Sequence, residues 1–147
     1  MQISLAKLNL IKRYAAEAYP EECCGILVGT VSRFLNGEKE NVVIEVVPCE
    51  NVLQGDRTEG FEISVGQYFQ TEELARRHHY QLVGSYHSHT KAPAIPSATD
   101  CDFLPPETSM LIVSVSERFV KEVRVYSRML RSRLYDDVYE ERLQFRY

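Results

Sequence analysis

The sequence contains no Cys-x-x-Cys, so neither a thiolate zinc site nor a dithiol redox motif can form in the usual way. Its four cysteines are Cys23, Cys24, Cys49 and Cys101. The first two are adjacent, which argues against a bond between them, and all four are expected to be reduced thiols in a cytoplasmic protein. There is no run of basic residues: 17 Lys and Arg stand against 21 Asp and Glu, mixed along the chain, for a net charge of −4. Neither composition nor a charge patch therefore suggests a nucleic-acid partner. No stretch approaches the length of a membrane span. The first twenty residues lack the apolar core and cleavage site of a signal peptide. Internal repeats and low-complexity tracts are also missing. What remains is a chain of 147 residues with 44% hydrophobic content, enough to bury a core and expected to be one domain over residues 1–147.

The most informative segment is HSHTKAPAIPSATD, residues 87–100. Two imidazoles and one carboxylate form a zinc ligand set, and three protein ligands leave a fourth position for water, which distinguishes catalytic from structural zinc. The preceding QLVGSYH is apolar and reads as a strand. Alternate residues of a strand point to one face, so His87 and His89 can converge on one ion. Pro93 and Pro96 disfavour helix in the residues before them and turn the chain. Ser97 then suits a helix N-cap, with Asp100 in the first turn, returning its carboxylate toward the histidines. The bland reading is a pair of surface histidines and a capping box with Asp in place of Glu or Gln. The joint spacing is more specific than either half.

Along the rest of the chain, Ser4 is a plausible N-cap. Leu8, Ile11, Ala15 and Ala18 recur at helical spacing until Pro20. CGILVGT at 24–30 reads as a buried strand, Asn36-Gly37 as a hairpin turn, and residues 41–48 as the returning strand. Residues 50–60 are polar and read as an exposed loop. Phe61 and Ile63 alternate with Glu62, which suggests a brief strand. Ser64 with Gln67 reads as a capping box opening a second helix through about His79. His78 and His79 then fall in its last turn, where they complement the dipole. Strands follow at 81–89, 110–115 and 120–126. Residues 128–147 fit one or two edge strands or a terminal helix. Helices interleaved with strands, and hairpin signals among them, give an α/β domain with a mixed sheet.

The pattern His-x-His, seven residues, Ser, two residues, Asp resembles the JAMM (MPN-plus) zinc metalloproteases. So does Pro20-Glu21-Glu22-Cys23-Cys24-Gly25 followed by ILVG, in a Pro-x-Glu-x-Cys-Gly context that selects Glu22 over Glu21. The resemblance covers roughly residues 3 to 127. It implies a curved mixed β-sheet flanked by helices, the MPN (JAB-like) fold. It also implies one zinc per chain on His87, His89 and Asp100, with Glu22 as general acid–base and Ser97 as donor to an oxyanion. Spacing alone does not bring Glu22 near the histidines. Such a centre hydrolyses amides, because zinc lowers the pKa of bound water from 15.7 to roughly 7 and a nearby carboxylate moves the proton. The short chain is similar to the small stand-alone prokaryotic members. That implies a peptidase or isopeptidase cutting after the C-terminal tail of a ubiquitin-like or sulfur-carrier protein. The alternatives are a non-catalytic MPN scaffold and an unspecialised zinc peptidase; a zinc deaminase lacks its His-x-Glu here. The oligomeric state is left open. Thr90 stands where the family usually has Pro. It is expected, with Lys91 and the 50–60 loop, to contact substrate.

Overall fold

Ser4 sits where the chain passes from strand to helix. Its backbone is extended, and its hydroxyl accepts from Lys7 N at 3.1 Å, the N-cap role expected of it. It closes β1 (Gln2–Ser4) and opens α1 (Leu5–Ala18), in which Leu8, Ile11 and Ala15 fall on one buried stripe. The computed structural model describes residues 1–128 and 137–146. After α1 come β2 (Cys24–Arg33) and β3 (Lys39–Cys49). They form the expected hairpin, with Gly37 at φ 87° in the turn, a conformation glycine adopts without steric cost. Then follow α2 (Val65–Arg77), β4 (Gln81–His89), α3 (Ala98–Asp102), β5 (Ser109–Ser116), β6 (Phe119–Arg128), β7 (Val138–Glu141) and β8 (Gln144–Arg146).

Among the described residues, eight strands form one sheet in the order β7-β6-β5-β4-β2-β3-β1-β8. β4 runs parallel to β5, and β1 runs parallel to β3 and β8; the other pairs are antiparallel. The sheet is therefore mixed and curled, with helices on both faces, as expected. On one face α1 covers a core of Leu27, Val83, Tyr86, Leu111 and Val113. On the other, α2 covers Cys24, Ile26 and Val28 on one side. There Ala94 and Leu104, which flank α3, pack on Met110, Ile112 and Tyr126 on the other side. The inner strand β4 lies between these two covers.

Three expectations change. Residues 61–63 are not a strand: Glu62 O accepts a single backbone bond, from Val52 N at 2.9 Å. Their alternation reflects Phe61 and Ile63 packing under α2, not sheet pairing. Ser64 caps α2 through Gln67 N, but the Gln67 side chain turns to Thr71 Oγ1, so the capping box is half made. The helix stops at Arg77, and Tyr80 N reaches back to Ala75 O at 2.8 Å. His78 is its C-cap and His79 takes a left-handed φ of 61°, so neither lies in the last turn. β1 was not anticipated, because three residues carry no period. The C-terminal ambiguity resolves for residues 137–146 into two short strands on opposite edges; residues 129–136 and 147 lie outside the described residues.

Close approach at the centre of the sheet requires two glycines. Gly25 faces Tyr86 across β2–β4, and a Cβ there would stand 2.2 Å from the buried ring. Gly84 faces Ser109 across β4–β5, and a Cβ there would stand 2.0 Å from its carbonyl oxygen. A backbone oxygen cannot rotate away, so the strands must part. Gly84→Ala is expected to cost about 1–3 kcal/mol through overpacking, read as a lower urea midpoint. An unchanged midpoint would contradict the close approach.

Candidate metal centre

The centre forms at the C-terminal end of β4. His87 and His89 are two apart on one strand, both are buried, and their rings point to the same side. Their Nε2 atoms lie 3.2 Å apart. Asp100 comes to them from α3, where Ser97 and Asp100 complete a reciprocal capping box. Ser97 Oγ accepts from Asp100 N at 3.1 Å, and Asp100 Oδ2 accepts from Ser97 N at 2.9 Å. The bland reading of these two residues is thus true as well. The same Oδ2 lies 3.2 Å from His87 Nε2 and 3.1 Å from His89 Nε2.

Two nitrogens and one oxygen, mutually 3.1–3.2 Å apart, match a face of a zinc tetrahedron. Ligand atoms at roughly 2.0–2.1 Å from zinc stand about 3.3–3.4 Å from each other. The donor chemistry agrees. His89 Nδ1 donates to Pro93 O at 2.8 Å, which leaves the Nε2 lone pair aimed at the triad. Burial holds His87 below its usual pKa. Burial also pulls His89 down, but hydrogen bonds to Asp100 and Pro93 outweigh it and raise the net value. Burial pushes Asp100 up, yet bonds to His87 and His89 hold it well below the usual carboxylate range. The two ring nitrogens and the carboxylate oxygen converge on one point that a shared proton or a cation can fill, and the donor set fits zinc.

Glu22 reaches the same place by strand register. β2 pairs antiparallel with β4 so that Cys24 faces His87. Two residues further, Glu22 stands opposite His89. Ser88, between the histidines, fastens this step: Cys23 N donates to Ser88 Oγ at 2.8 Å and Ser88 N to Cys23 O at 3.1 Å. Burial raises the Glu22 carboxyl to about 7, with His89 opposing the rise and Asp100 adding to it. Glu21 is exposed beside Arg57. Burial pushes the Cys23, Cys24 and Cys49 thiols up to about 11, 12 and 11, which favours the protonated thiol at neutral pH.

A groove of about 920 Å³ opens beside the triad, lined by Glu22, Phe61, His89, Ser97, Phe103 and Met110 among others. The loop over residues 50–60 forms one wall. Thr90 Oγ1 donates to Thr58 O at 2.7 Å and Lys91 pairs with Glu59 at 3.3 Å. The residue that replaces the family's Pro thus ties the metal segment to that loop. The opposite wall is braced by β6. Tyr126 Oη donates to Ala94 O at 2.6 Å, Ala94 N donates to Glu122, and Arg128 donates to Leu104 O at 2.9 Å and to Cys101 O. Phe61 stacks on His87 with ring centroids 4.4 Å apart. Sequence reasoning missed Ser88, Asn51, Tyr126 and Arg128. A small polar residue between two ligands was a usable signal for Ser88; the other three act across the fold.

A curled mixed sheet with a His-His-Asp triad at the end of an inner strand defines a JAB/MPN-type domain with a candidate metal centre. The chain belongs to the prokaryotic homologs of the JAB domain, whose family model matches residues 6–128. It is 31% identical over 98 residues to tail tip assembly protein K of Escherichia phage N15, covering 65% of this chain and 34% of that protein. The chain thus spans about a third of that relative's length. A solution structure of a protein from Desulfitobacterium hafniense superposes with TM-score 0.77 at 24% identity, over 99% of this chain and 92% of that one. The structure described as JAMM, a metalloprotease-like zinc site in the proteasome and signalosome, gives TM-score 0.57 at 18% identity, over 100% of this chain and 98% of that one. Both likenesses are of fold.

Metal-free protein titrated with zinc is expected to take up one ion per chain, measured by metal analysis after desalting. The double variant His87→Ala, His89→Ala should take up none. Full retention by that variant would remove the triad as the site.

Proposed function

We propose that this protein is a zinc-dependent peptidase or isopeptidase. One observation carries the reading. His87 Nε2, His89 Nε2 and Asp100 Oδ2 converge within 3.2 Å of one another, and Glu22 and Ser97 line the same groove. Zinc held there would supply Lewis acidity, lowering the pKa of water from 15.7 to roughly 7 and polarising a carbonyl. Glu22 takes a proton from the attacking water and returns it to the leaving amine, work typically worth about 10² to 10⁴ in rate. Ser97 Oγ accepts from Asp100 N, which leaves its O–H free to donate to the carbonyl oxygen as negative charge develops there. One such donor contributes about 3–4 kcal/mol. Capping and catalysis thus use different parts of one hydroxyl.

The substrate is a small ubiquitin-like or sulfur-carrier protein, cut just after its Gly-Gly tail. The groove is walled by Phe61 and Phe103, with Gly84 and Ser85 also lining it. A glycine tail would lie extended there with no side chain to clash, bringing a backbone amide to the triad. Binding energy from the folded body holds the tail in register.

Two experiments test the reading. Glu22→Gln should keep zinc and fold while turnover falls by about 10² or more, and Glu21→Gln should be close to neutral. A dead Glu21→Gln with an active Glu22→Gln would contradict the assignment. For the substrate, a carrier extended by one or a few residues past Gly-Gly should be trimmed to the tail by mass spectrometry, and chelator should stop it. Brisk cleavage of unfolded peptides with no trimming of any carrier would leave an unspecialised peptidase.

A further inference from the structure

Glu22 is held at both of its backbone polar atoms by a segment without regular structure. Its N–H donates to Arg57 O at 2.7 Å, and its carbonyl accepts from Asn51 Nδ2 at 3.0 Å. The same amide donates to Gly60 O at 3.1 Å. Its Oδ1 accepts from Leu53 N and from Glu62 N, each at 3.2 Å. One side chain therefore fastens Glu22, the start of the loop and the end of the loop. The partners fix the residue type. Two carbonyls require two N–H donors and two amides require an acceptor, and only a primary amide offers both from one short stem.

Register explains how Asn51 comes to be there. Cys24 faces Cys49 across β2–β3 and faces His87 across β2–β4. Two residues on, Glu22 lies between Asn51 on one side and His89 on the other. The loop that Asn51 closes also carries Phe61, next to Gly60, onto the His87 ring.

We propose that Asn51 is the positioning residue of this centre. By fastening Glu22 and the Gly60–Glu62 segment to one amide, it sets where the Glu22 carboxylate and the Phe61 ring stand relative to the triad. Its effect on turnover rests on the peptidase reading; its effect on the backbone does not. Asn51→Asp keeps an acceptor for Leu53 N and Glu62 N but loses the donor to Glu22 O and Gly60 O. Asn51→Ala loses all four bonds.

Both variants are expected to bind one zinc per chain, because the triad is carried by β4 and α3. Amide exchange at Glu22, whose N–H is bonded to Arg57 O within the loop that Asn51 closes, should quicken by about tenfold or more in both variants as that loop loosens, followed by NMR on the metal-free protein. Turnover number should fall by about 10- to 100-fold with KM little changed, the mark of a misplaced reacting group. A residue needed only for folding would instead lower the melting temperature and the zinc content together. Wild-type exchange at Glu22 together with wild-type turnover would overturn the proposal. Loss of zinc and of the folded state in both variants would overturn it too, assigning Asn51 to stability. Faster exchange at Glu22 in a protein whose wild type cuts no amide substrate would sustain the tether and sink the peptidase reading alone.

Discussion

The pairing of β2 with β4 is the constraint on which the rest of the site depends. Because Cys24 faces His87, Glu22 stands opposite His89 and all three side chains share a face. A slip of one residue would send Glu22 to the other side of the sheet, since strand side chains alternate. Register is therefore defended strongly. Ser88 exchanges bonds with Cys23 through both its hydroxyl and its N–H. Gly25 leaves room for the Tyr86 ring that precedes His87. The small residues of both motifs thus serve the pairing, and the charged ones use it.

That division explains what the sequence could and could not disclose. Features set by local geometry were readable: the Ser4, Ser64 and Ser97 caps, the Asn36-Gly37 turn, the bounds of β4, and the convergence of His87 and His89. Asp100 was readable because a single short turn returns it. Glu22 was not, because 65 residues and a strand order separate it from His87; only the family pattern pointed to it. The brief strand at Phe61–Ile63 failed for a physical reason. Alternating burial arises wherever one side of an extended segment packs, whether or not a neighbouring strand bonds to it. The histidines at 78 and 79 left the helix because Tyr80 N takes the Ala75 carbonyl and closes its end.

The two walls of the groove are built differently. One is the irregular loop, held by Asn51, Thr90 and Lys91; the other is the α3 segment, braced from β6 by Tyr126, Glu122 and Arg128. Both sets of pins attach outside the triad, so the triad's donor atoms sit on regular elements while their surroundings are tied by side chains. Placing a site's central atoms on rigid elements, with a bonded surround, is what keeps such a constellation in register. It also means that neither wall can shift without moving a residue next to the triad: Phe61 against His87 on one side, and Pro93 against His89 on the other.

The central claim is that the Nε2 atoms of buried His87 and His89 and the Oδ2 of half-buried Asp100, within 3.2 Å of one another, are a zinc site. An anomalous difference map at the zinc edge, from crystals grown with equimolar zinc, tests it most directly. The account predicts a single strong peak at roughly 2.0–2.2 Å from His87 Nε2, His89 Nε2 and Asp100 Oδ2, on the side facing Glu22. An empty triad in a crystal that holds zinc elsewhere, or a peak bound by only one of the three, would contradict it.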